Sequence, residues 1–137
     1  MARATVEVIA ALRRTAARLQ QGAAYQWGHS GMCNCGHLAQ TITELPGAVI
    51  HREVAGEWSE YLEDYCVVTG ERVDDLRAKM VRFGFEPTEL AALEQLADPA
   101  VLRALPGGHR HLVRNERDDV ALYLETWAEL LATRRVA

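Results

Sequence analysis

Apolar side chains recur at steps of three and four residues through most of this chain of 137 residues. The first stripe consists of Val6, Ile9, Leu12, Ala16 and Leu19. Arg13, Arg14 and Arg18 fall between these positions and turn away from the stripe. Such spacing predicts an amphipathic helix, and Gly22 is a typical residue for ending it.

Similar signals continue beyond the first helix. Asn34 is a predicted N-cap for a second helix over residues 35–44, which Pro46 and Gly47 end. Residues 48–65 favour helix, with a break near Gly56. Four further helices are predicted from Val73 to Gly84, from Pro87 to Leu96, from Asp98 to Leu105, and from Asn115 onward with Asp118 in its first turn.

The periodicity also decides the fold class. Strict alternation of apolar and polar residues is nearly absent, so we expect no extended sheet. A chain of this length buries a sizeable core within one domain, here residues 1–137. We therefore predict an all-α, single-domain bundle of about six helices.

Charge and composition narrow the classes of partner. The net charge is −4 and no run of basic residues occurs, which argues against nucleic acid as the main partner. No apolar run is long enough to span a bilayer, so no membrane partner is expected. Arginines stand where a signal peptide needs its apolar core, which favours the reducing cytoplasm. The acidic stretch 44–64 could pair with the basic first helix, within one domain or across a homodimer.

Candidate chemistry is concentrated in the nine residues from His29 to His37, which hold two of the three cysteines and two of the five histidines. Cys33 and Cys35 lie where a loop runs into a predicted helix N-terminus, and backbone amides there stabilise thiolates. Cys66 is the remaining thiol and could complete a set of three cysteines and one histidine. Such a set suits a structural zinc ion or an iron–sulfur cluster. The predicted metal ligands are Cys33, Cys35, His37, Cys66 and His29.

Part of this region resembles the nucleophile region of NlpC/P60 cysteine peptidases. Residues 25–29 (YQWGH) and 34–38 (NCGHL) are similar to that family's Tyr-x-Trp-Gly-Gly and Asp-Cys-Ser-Gly-Leu. The resemblance implies that Cys35 is a nucleophile, that Tyr25 lies near the oxyanion, and that a histidine acts as base. The candidate bases are His109 and His111, with Asn115 as a possible orienting residue.

The chain departs from the peptidase pattern in two ways. His29 and Gly36 replace a glycine and a serine of the family, and the helical pattern leaves little room for its sheet. The same segments also resemble small bacterial proteins with Tyr-x-Trp-Gly-His and Cys-Asn-Cys-Gly, a resemblance that implies no particular activity. Three functions therefore stay open: a metal-binding protein with a redox or sensing role, a cysteine hydrolase, and a non-catalytic protein-interaction domain.

Overall fold

A computed structural model describes residues 2–25, 33–43 and 78–136 of the chain. Its helices are α1 (Val6–Gln20), α2 (Asn34–Thr43), α3 (described over 78–83), α4 (Pro87–Gln95), α5 (Pro99–Arg103) and α6 (Arg117–Val136). No strand occurs within these ranges, so the predicted all-α class is confirmed for the described part of the chain. The predicted helix within 48–65 lies outside the described residues, and a single domain over 1–137 stays a prediction.

Helix α1 follows its predicted bounds closely. The Thr5 hydroxyl accepts a hydrogen bond from the backbone N–H of Val8 at 3.1 Å, which caps the N-terminus. Gly22, at φ 93°, follows the C-terminus as expected. The predicted stripe needs one correction, because Val6 is 56% exposed whereas Val8 is fully buried. Val6 is the first residue of the helix and lies at the margin of the packed face, whereas Val8 and Ile9 in the same turn are already buried.

The core forms where α1 packs along α6, while α2 packs on α1 and α4 packs on α2. Its largest buried side chains are aromatic. The Trp127 ring meets Phe85 edge-on at a centroid distance of 5.5 Å and Tyr123 at 6.2 Å. Such edge-to-face pairs add about 0.5–1.5 kcal/mol beyond the burial of their surface. No helix in the described ranges is both long enough and apolar enough to cross a membrane.

The starts of α4 and α5 confirm the sequence signals, whereas α6 starts later than expected. Pro87 is the first residue of α4, and the Asp98 carboxylate accepts the N–H of Ala100 at 2.9 Å to cap α5. Helix α6 begins at Arg117 rather than Asn115, because the carbonyl of Glu116 is the first to accept a helical hydrogen bond. Helix α5 ends at Arg103, two residues before the predicted Leu105.

A glycine fixes how closely α3 approaches α1. Gly84 ends α3 at φ 141°, and a Cβ atom built there would lie 2.6 Å from the Cγ2 atom of Val8. Both the backbone conformation and the contact disfavour any side chain at this position.

We expect Gly84→Ala to lower the free energy of unfolding by at least about 2 kcal/mol, measured by urea denaturation. The control is Gly107→Ala, at φ 85° with no atom within 4 Å, which should cost about 1 kcal/mol. Equal losses would contradict the close approach.

Candidate functional site

The N-terminus of α2 is capped by a thiol. The Cys33 sulfur accepts the backbone N–H of Gly36 at 3.1 Å, and the Cys33 carbonyl accepts the N–H of His37 at 2.9 Å. These two hydrogen bonds put Cys33, which is fully buried, at the N-cap position. The prediction that Asn34 is the N-cap was wrong, because Asn34 is the first helical residue and its side chain bonds to other elements.

The buried Asn34 side chain joins α2 to α4. Its Nδ2 group donates to the carbonyls of Leu93 at 3.0 Å and of Glu94 and Arg114, both at 3.2 Å. Its Oδ1 atom accepts the Tyr25 hydroxyl at 2.6 Å. Since the last four carbonyls of a helix have no partner inside it, the amide satisfies the C-terminus of α4.

Glu94 of α4 in turn accepts a hydrogen bond from the N-terminus of α2. Its Oε1 atom accepts the backbone N–H of Cys35 at 2.5 Å, and a carboxylate at a helix N-terminus is also favoured by the helix dipole. We call this pair of interactions, Asn34 on α4 and Glu94 on α2, the reciprocal cap. Sequence reasoning missed Glu94, although it lies four residues after Leu90 on the apolar face of α4. A carboxylate at such a position signals a buried partner.

His37 is held in one orientation one turn after Cys33. Its ring is buried, and Nε2 is 2.7 Å from the carbonyl of Ala24, so that nitrogen carries the proton and donates it. The ring stacks on Tyr25 at a centroid distance of 6.0 Å. Its Nδ1 atom is buried and has no hydrogen-bond partner within the described ranges. Burial first, and the nearby Arg18 charge in addition, lower the pKa of His37 from 6.5 to about 4, so the imidazole is neutral at pH 7.

Arg18 ties α1 to this part of α2. Its guanidinium donates to the His37 carbonyl at 2.6 Å, to the Thr41 hydroxyl at 2.7 Å and to the Gln40 side chain at 3.0 Å. Arg18 does lie off the apolar stripe, as predicted, but its side chain is half-buried against α2. It is a further site residue that the periodicity of α1 did not reveal.

The structure divides the predicted metal ligands into two groups. Cys33 and His37 share the first turn of α2, whereas the partly buried Cys35 donates its thiol hydrogen to the Leu90 carbonyl of α4 at 3.0 Å. No three histidine, cysteine, aspartate or glutamate side chains among the described residues lie close enough together to hold a metal ion. His29 and Cys66 lie outside the described residues, so the full set of five ligands stays a prediction.

The parts of the predicted hydrolase site can be placed individually. His109 and His111 are exposed in the connection between α5 and α6, and no hydrogen bond between described residues joins either to Cys35. The Tyr25 hydroxyl lies 2.6 Å from the Asn34 Oδ1 atom and 2.7 Å from the Arg114 carbonyl. A nucleophilic role for Cys35 stays a prediction.

No protein-family model, curated protein or solved structure is significantly similar to this chain.

The reciprocal cap can be tested with a substitution that keeps the shape of Asn34. In Asn34→Asp, a carboxylate oxygen replaces the Nδ2 donor and faces three carbonyl oxygens. We expect the free energy of unfolding at pH 7 to fall by at least about 3 kcal/mol, because buried acceptors then oppose one another. The matched control is Asn115→Asp, at an exposed position, which should change stability by less than about 0.5 kcal/mol. Similar small effects at both positions would contradict the cap.

The lowered pKa of His37 predicts a stability that depends on pH. Its folded pKa lies below its unfolded value of 6.5, so its contribution to stability is complete above pH 6.5 and is lost as the pH falls towards 4. In metal-free protein, wild type should lose about 2 kcal/mol more than His37→Gln between pH 7 and pH 5. Chemical denaturation at both pH values measures this difference. Parallel losses in the two proteins would mean that His37 titrates normally in the fold.

Proposed function

We propose that the N-terminus of α2 binds a soft divalent metal ion, zinc above all, with Cys33 and His37 as ligands. The observation that carries the proposal is the buried His37 ring, whose Nε2–H donates to the Ala24 carbonyl while Nδ1 has no partner among the described residues. Metal-binding histidines commonly donate their second ring N–H to a carbonyl, which orients the ring and fixes the tautomer. The pKa of about 4 supports the same role, since a metal requires the neutral imidazole.

Cys33 supplies chemistry that fits this donor. Its sulfur accepts a backbone N–H at the start of a helix, and both that hydrogen bond and the helix dipole favour the thiolate that a metal binds. Cys33 and His37 are four residues apart, which brings side chains to the same side of a helix. A mixed set of sulfur and nitrogen donors suits zinc better than an iron–sulfur cluster, which needs mostly cysteine.

The remaining ligands follow from the sequence. Four-coordinate zinc needs two more donors, and His29 and Cys66 are the candidates from outside the described residues. Cys35 is the ligand with the weakest support, because its thiol hydrogen is donated to Leu90 on α4. A closed site of this kind would give the ion a structural or sensing role. The thiols of Cys33 and Cys66 need a reducing compartment such as the cytoplasm to remain able to bind a metal.

The proposal is tested by elemental analysis of protein purified without a nickel column. Wild type should contain about one equivalent of zinc and should lose thermal stability when a chelator removes it. Cys33→Ser and His37→Gln should lose the bound zinc, whereas Cys35→Ser and the loop variant His109→Gln should retain it. Circular dichroism checks that each variant is folded.

Several results would overturn this assignment. Wild type that is free of metal and does not bind added zinc would refute it, and so would His37→Gln with a full equivalent of zinc. Detection of iron, acid-labile sulfide and visible absorbance would show that the site holds an iron–sulfur cluster instead of zinc. Cobalt(II) titration gives a second readout, since loss of the sulfur-to-cobalt charge-transfer band in Cys33→Ser, but not in Cys35→Ser, identifies the ligand directly.

A further inference from the structure

A groove on the opposite margin of α1 forms a second candidate site, independent of the proposed metal site. It has a volume of about 450 Å³, within the range of small-molecule sites. Its floor is apolar and consists of Val6, Ile9, Ala10 and, on α6, Ala132. The two alanines create the depression, because their short side chains leave space between the helices.

Arginines line the ends of this groove. Arg13 and Arg14 lie one turn beyond the apolar floor on α1, and Arg135 of α6 lies near the start of α1, with its guanidinium 3.4 Å from the Ala4 carbonyl. Arg14 forms no hydrogen bond or ion pair with the described residues. Arg13 contacts the Glu129 carboxylate at 3.2 Å, but both side chains are exposed, and pairs of this kind contribute at most about 1 kcal/mol. Arg13 and Arg14 are both exposed, so their guanidinium groups can reach an anionic ligand.

The combination of an apolar floor with two adjacent guanidinium groups defines the ligand chemistry. We propose that the groove binds a monomeric aliphatic carboxylate, with its alkyl chain along the floor and its head group between Arg13 and Arg14. Guanidinium groups bind carboxylates through paired, charge-assisted hydrogen bonds. The alkyl chain covers Val6, which is 56% exposed although it belongs to an apolar surface.

The size of the groove argues against larger partners. From Val6 to Arg14 the α1 stripe is only about 12 Å long, whereas a stable protein interface engages about 20–30 residues on each side. A membrane-binding surface of the electrostatic kind uses clusters of about four to eight basic residues. Three arginines on a short groove fit a single small anion with one chain.

The test is a titration with decanoate below its micellar concentration, followed by amide chemical shifts in NMR. Shifts should concentrate on the groove residues of α1 and α6. Arg14→Gln should weaken binding at least about fivefold through loss of a charge-assisted hydrogen bond. Ala10→Leu, which fills the groove from a partly exposed position, should weaken it further. The matched control Arg110→Gln, on an exposed arginine outside the groove, should bind like wild type.

Matched probes separate the contributions of chain and head group. Acetate, which lacks the chain, and decylammonium, which has the opposite charge, should both fail to shift the groove residues. The proposal is wrong if decanoate does not bind, if decylammonium binds equally well, or if Arg14→Gln and Ala10→Leu leave the affinity unchanged. Binding to anionic vesicles without binding of monomeric decanoate would assign the groove to a lipid surface instead. Zinc content plays no part in this test, so either proposal can fail alone.

Discussion

The buried start of α2 depends on the reciprocal cap. The first N–H groups and last carbonyls of any helix lack partners within it, and leaving such groups unsatisfied inside a protein costs several kcal/mol in total. Glu94 satisfies an amide of α2 while Asn34 satisfies two carbonyls of α4. Because each helix end supplies the partner for the other, both ends can be buried in contact. The thiol of Cys33 and the ring of His37 become buried as a consequence.

Burial at this helix end then separates side chains that look equivalent in the sequence. Cys33 and Cys35 are two residues apart, yet one sulfur accepts an amide hydrogen at the N-cap and the other donates to a carbonyl of α4. The backbone turns by about 100° per residue in a helix, so neighbouring positions meet different surroundings. The hydrogen bond to Ala24 fixes the orientation of the His37 ring, and exclusion from water keeps the ring neutral. Its other nitrogen, Nδ1, has no partner among the described residues.

Helix α1 serves two surfaces with different chemistry. Its buried stripe packs on α6, and an adjacent stripe forms the groove with its arginine ends. Arg14 and Arg18 are four residues apart on α1. Arg18 nevertheless donates a hydrogen bond to the His37 carbonyl of α2, whereas Arg14 lines the groove. The difference arises because α2 packs against the part of α1 where Arg18 lies, and Thr15 and Thr41 also share a hydrogen bond of 2.7 Å there.

Local chemistry was sufficient to predict the extent of α1 and the starts of α4 and α5. The apolar period of α1, Gly22 after its end, Pro87 at the start of α4 and the Asp98 cap all act within a few residues, so the sequence by itself determined them. Asn34 and Glu94 are each about sixty residues along the chain from the groups that they bind on the other helix. Helical periodicity contains no information about which helix ends meet. The sequence likewise brought the cysteines and histidines of 29–37 to attention, but the roles of Cys33, Cys35 and His37 were decided only by the tertiary structure. The physical reason is that hydrogen bonds and exclusion from water act through space, between groups that only the packing of the helices brings together.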